Sequence, residues 1–114
     1  MIEINTISEE GTKVIKIVGD VDASSSIQLD NEIQKAVDEG CKKILFDCEE
    51  LNYISSAGLG VFMSYIQHFN ENQIKTGLFG LSDKVKNVFQ ILGLDQLLYI
   101  GKTKDEAKSY VDEL

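Results

Sequence analysis

What most limits the fold of this chain is an alternation of two kinds of segment. Short runs rich in β-branched and aliphatic residues alternate with longer runs that are apolar along one face only. "MIEINTI", with Ile2 and Ile4 in alternation, predicts a first strand at a sheet edge, and "TKVIKIVG" predicts a second that ends at Gly19. "SIQLDNEIQKAVDEG" gathers Leu29, Ile33, Ala36 and Val37 on one face and stops at Gly40, which predicts a helix. "KKILFDC" is an apolar run of the buried-strand type. "AGLGVFMSYIQHFNEN" then puts Leu59, Phe62, Ile66 and Phe69 on one helical face, with Ser64, Gln67 and Glu71 opposite. A strand "IKTGLFGL", a helix "SDKVKNVFQILG" capped by Ser82 and stopped by Gly93, a strand "QLLYI", and a helix opened by the pair Thr103 and Glu106 complete the chain.

The order β-β-α-β-α-β-α-β-α calls for right-handed crossovers and a mostly parallel sheet. The first two strands predict a hairpin turning at Gly11, which makes the sheet mixed at one edge. The expected fold is α/β, with four or five strands packed by four helices. Without proline, repeat or linker, residues 1–114 are expected to form one domain.

Charge narrows the partners. The formal net charge is -8, so phosphate backbones and anionic membranes are repelled, and neither nucleic acid nor a membrane is expected as a partner. No stretch approaches a membrane span. Cys41 and Cys48 make no CxxC or metal pattern, and "MIEINTISEE" carries acids where a targeting peptide carries bases. The expectation is a cytoplasmic protein with reduced thiols.

Catalytic chemistry has little to work with. The single histidine, His68, falls on the polar side of its helix, about three turns beyond Ser56 and too far to act as its base. "GLG" at 58–60 is not GxGxxG, and no GxxxxGK[ST] or GxSxG is present. No enzyme activity, cofactor or metal is expected.

The stretch "LNYISSAGLG" remains. Ser55 or Ser56 is the natural N-cap of the helix that follows. This loop and "GDVDASSS" (residues 19–26) both follow predicted strands, at the end of an α/β sheet where functional sites collect. If those strands are neighbours, the two serine-bearing loops lie side by side. Ala57, Val61 and His68 fall on the polar side of the helix, which leaves a small residue and an exposed valine as an approachable surface beside the serines. A helix N-terminus also accommodates a phosphate. Phosphorylation of Ser56 would add about -1.5 to -2 charges without unfolding the domain.

At these residues the sequence resembles the STAS family, the sulfate-transporter and anti-sigma-factor-antagonist domains. The family stretch, roughly Phe-Ile-Asp-Ser-Ser/Thr-Gly-Leu-Gly before an apolar helix, is matched by Tyr53, Ile54, Ser55, Ser56, Ala57, Gly58, Leu59 and Gly60. A second signature, Gly-Glu/Asp-aliphatic-Asp, is matched by Gly19, Asp20, Val21 and Asp22. The resemblance implies a non-enzymatic regulator that binds an anti-sigma factor, often a serine kinase of the GHKL ATPase type. The kinase ends the interaction by phosphorylating the antagonist, and a PP2C-type phosphatase restores it.

On this resemblance Ser56 is the acceptor, with Ser55 as the alternative. Asp20, Asp22 and Ser24 border the phosphosite, and Ser55, Ala57, Gly58 and Val61 complete the partner contact. Two departures stand out: Ser55 replaces the family's aspartate, and Ala57 replaces its second hydroxyl. Other members of the family serve as unphosphorylated adaptors in transport, lipid-transport or stress-signalling complexes, and that role is the alternative implied here.

Overall fold

The structure, a computed structural model, describes residues 2–113. Strands Ile2–Glu9 (β1) and Thr12–Val21 (β2) form an antiparallel hairpin in the register Ile2↔Gly19 to Glu9↔Thr12. Its two turn residues, Glu10 and Gly11, both have positive φ (50° and 83°). That is the type I′ geometry, whose twist matches that of paired strands, and Gly11 adopts it without steric cost.

The rest of the sheet is parallel. Lys43–Ile54 (β3) runs beside β2, Lys75–Phe79 (β4) beside β3, and Tyr99–Gly101 (β5) beside β4, giving the order β1-β2-β3-β4-β5. The crossovers carry helices Ser26–Asp38 (α1), Ser56–Glu71 (α2) and Asp83–Ile91 (α3), and Lys104–Asp112 (α4) closes the chain. The predicted mixed α/β sheet with four helices is the fold observed.

Alternation along β3 divides the interior. Ile44, Phe46 and Cys48 point to the main core with Leu29, Ile33, Leu59, Phe62 and Phe89, whereas Leu45 points to a smaller core formed with Val14, Phe79, Ala107 and Val111 of α4. Phe62 links the layers, meeting Phe46 edge-on at 5.0 Å and Phe89 at 5.7 Å. Those contacts fix α2 over β3. Tyr65 fixes α2 to α1, donating its hydroxyl to Asp30 Oδ1 at 2.5 Å. Burial, reinforced by that bond, pushes its phenol above the ordinary range.

Four expectations are corrected. The strand predicted to end at Cys48 continues to Ile54, and the one predicted to end at Gly19 continues to Val21. Beyond Asp47, β3 leaves β4 and pairs with β2 alone, through Glu50, Leu51, Tyr53 and Ile54. Glu49 and Glu50 interrupt the apolar run because that part of the strand is open on one face. The predicted strand "QLLYI" shortens to the three-residue β5, because Gln96 closes a 3-10 turn, Leu94–Gln96, in which Leu94 and then Leu98 turn inward while Leu97 stays out. In the Thr103 pair, Thr103 Oγ1 accepts from the Glu106 N–H as expected, but Glu106 reaches back to the N–H of Lys102 rather than that of Thr103.

Candidate functional site

The paired ends of β2 and β3 project beyond the rest of the parallel sheet and deliver two helix starts to one place. Asp20 pairs with Tyr53 and Val21 with Ile54, and the Ser55 N–H donates to the Val21 carbonyl at 2.8 Å. The serine-bearing loops are therefore neighbours.

The α1 start is closed on itself. The Ser26 N–H donates to the Asp22 carbonyl at 2.9 Å, an i→i−4 bond, so the first helical turn begins at Asp22. Asp22 Oδ1 accepts the Ser25 N–H at 2.9 Å, and Ser25 Oγ accepts the Asp22 N–H at 2.8 Å. This is a capping box in which serine stands at the position usually held by glutamate or glutamine. The Ser24 hydroxyl donates to the same carboxylate oxygen at 2.9 Å. The Ser25 hydroxyl has Asp22 Oδ1 at 3.0 Å and the Asp20 carbonyl at 3.1 Å as acceptors. The Ser25 amide, with both hydroxyls, holds the Asp22 carboxyl down at about 2.

The α2 start is open. Ser55 is its N-cap, in extended conformation, and its Oγ accepts the Gly58 N–H at 3.2 Å. Ser56 is the first helical residue, exposed, and its hydroxyl has no hydrogen-bond partner among the described residues. The Ser56 and Ala57 amides are also without a protein partner among those residues, as expected for a first helical turn.

Of the predicted contact residues, Asp20, Asp22, Ser24 and Ala57 are exposed and Ser55 is half-buried. Val61, expected as an exposed valine, is half-buried and packs against the main core. Gly58 is buried. A Cβ there would lie 2.7 Å from both Ile54 Cγ1 and Val21 Cγ1, so this glycine is required for α2 to approach the strand ends and does not present a contact surface.

Three residues at this end of the sheet went unnoticed in the sequence. Ser25 was legible as the Asp-x-x-Ser spacing. Ile27, 64% exposed in the first turn of α1, falls off the Leu29–Ile33–Ala36 stripe. Tyr53, 46% exposed, alternates with the buried Ile54 once β3 is extended. Tyr53, paired with Asp20, and Ile27, in the first turn of α1, add exposed apolar surface at this end of the sheet. Among the described residues no group of three or more His, Cys, Asp or Glu side chains could hold a metal ion, and no helix is long and apolar enough to cross a membrane.

Residues 3–107 match the STAS domain family. The chain belongs to the STAS domain family. A similar curated relative is the anti-sigma-B factor antagonist of Staphylococcus aureus (strain NCTC 8325 / PS 47), 25% identical over 101 residues that cover 89% of this chain and 94% of the relative. Among solved structures, an anti-sigma factor antagonist from Mycobacterium paratuberculosis superposes with a TM-score of 0.92 at 18% identity, covering 99% of this chain and 96% of the other. The Bacillus cell fate determinant SpoIIAA in its phosphorylated form gives 0.71 at 24% identity, covering 97% and 99%. These two likenesses establish the STAS fold. The curated relatives are named for regulation.

Proposed function

We propose that this STAS protein is an anti-sigma factor antagonist controlled at Ser56. With a free Ser56 hydroxyl it binds an anti-sigma factor that is also a serine kinase of the GHKL ATPase type. Phosphorylation of Ser56 by that kinase ends the complex, and a PP2C-type phosphatase resets it, as expected for a cytoplasmic phosphoprotein in bacterial transcription regulation. The observation that carries this reading is the exposed hydroxyl of Ser56, without a partner among the described residues, in the first turn of α2 beside the Asp20–Asp22 loop. The names of the relatives support the partner class, and the existence of a phosphorylated SpoIIAA of the same fold supports the modification.

The mechanism follows from charge and solvation. A phosphate on Ser56 gains from the free amides and dipole of the α2 start, so the fold tolerates it. A partner that covers the same surface meets about -1.5 to -2 added charges next to two aspartates. It would have to bury them unpaired, and truncating or mismatching a buried charge typically costs about 2–5 kcal/mol. Binding is switched with little change of shape.

Titration calorimetry against the cognate anti-sigma kinase tests this. Ser56→Asp is expected to weaken the complex by about tenfold or more while circular dichroism stays unchanged. Equal affinity of Ser56→Asp and the parent protein would instead mark a constitutive adaptor.

A further inference from the structure

We propose that the opposite end of the sheet holds a small-molecule site for a one-ring aromatic carboxylate. There a cavity of about 250 Å³ opens between the C-terminal end of α2, the start of β4, the approach to β5 and α4. Phe69 and Ile74, both buried, give it apolar lining. Tyr99 and Tyr110 give it an aromatic wall, stacked at 4.4 Å between ring centroids with 7° between their planes. Leu97, 59% exposed, forms an apolar rim.

The polar side chains are Asn70, Gln73, Lys75 and Thr76, and none has a hydrogen-bond partner among the described residues. Lys75 Nζ sits 5.2 Å from the Tyr110 ring centroid and forms no ion pair among the described residues. Thr76 is only 8% exposed, yet its hydroxyl has no hydrogen-bond partner there and is not sealed from open space. The Asn70 side-chain amide is likewise unengaged among the described residues. A concavity with an aromatic wall and unengaged polar groups has the elements of a ligand site.

Charge selects the ligand class. The chain has 19 acidic residues, yet none lines this cavity, and Lys75 is the one charged residue that does. The cavity of about 220 Å³ between β1 and α1 differs: Lys13, Lys35, Glu32 and Glu39 all line it, and Lys13 is paired to Glu39 at 2.9 Å. That cavity neutralises itself, whereas the one at Lys75 holds its cation over the Tyr110 ring with no anionic partner among the described residues. A carboxylate would take a charge-assisted bond from Lys75. An attached ring would be received by the tyrosine wall and Leu97. The volume is below the roughly 300–1,000 Å³ of drug-sized sites, which restricts the ligand to about one ring.

The test is a titration of the isotope-labelled protein with 4-hydroxybenzoate, followed by backbone amide NMR. Saturable shifts are expected at Lys75, Thr76, Tyr99 and Tyr110 with a millimolar or lower Kd. Neutral 4-hydroxybenzamide, and 4-hydroxybenzoate with Lys75→Gln, should each bind about tenfold more weakly, while the spectrum of the variant keeps the dispersion of a folded domain. Shifts that do not saturate, that fall at the serine loops, or that are equal for acid and amide would overturn the proposal.

Discussion

The two helix starts at the end of β2 and β3 have opposite designs. At α1, Asp22 receives an amide and two hydroxyls, and its own amide is bonded in return. At α2, Ser55 makes one capping bond and the next hydroxyl, that of Ser56, is left unused among the described residues. The first start is a hydrogen-bonded frame that is charged at neutral pH. The second holds a neutral group that a single transfer of phosphate would convert to a strong charge. Placed together by the Ser55–Val21 bond, they make one surface, whose shape is constant and whose charge is adjustable on the proposed function.

The largest expected effect comes from breaking the contact between the two starts. Gly58→Ala forces a methyl against Ile54 and Val21 and should destabilise the domain by about 1–3 kcal/mol, measured by urea unfolding. An unchanged midpoint would show that α2 can shift at no cost, and the shared surface would not be fixed.

The closed start should depend on its carboxylate. Asp22→Ala removes the whole capping box and should cost more than any single-bond cap, while Asp22→Asn keeps the acceptor and should recover much of the loss. Because the Asp22 carboxyl is lowered from its ordinary 3.8 to about 2, its contribution is fully present above 3.8 and is lost as pH falls toward 2. The stability gap between the parent protein and Asp22→Asn should narrow over that window in acid unfolding. A gap independent of pH would remove the charged frame from the account.

The smallest effects distinguish the two serines. Ser55→Ala loses the cap and should cost about 1 kcal/mol. Ser56→Ala removes an exposed hydroxyl without a partner and should stay within about 0.5 kcal/mol of the parent. Reversed values in thermal unfolding would exchange the structural and functional roles assigned to them.

Much of this frame was legible in the sequence because it rests on local rules. The glycine stops of the helices, the helix stripes and the β-α alternation read correctly, and so did the adjacency of the serine loops once their strands were taken as neighbours. The extension of β3 was hidden by Glu49 and Glu50, since a strand open on one face loses the continuous apolar pattern. Val61 was misplaced because a helix wheel measures angle and not the width of the surface the helix packs on. The burial of Gly58 depends on side chains from two strands, and the cavity at Lys75 on segments far apart in the chain. No local pattern announces either.

The central claim is that Ser56, and not its neighbour, carries the switch. Incubation with the cognate anti-sigma kinase and ATP, followed by peptide mass spectrometry, tests it most directly. One phosphate is expected on Ser56 of the parent protein and none on Ser56→Ala, with Ser55→Ala still modified. Phosphate that persists in Ser56→Ala and is found on Ser55 would contradict the account.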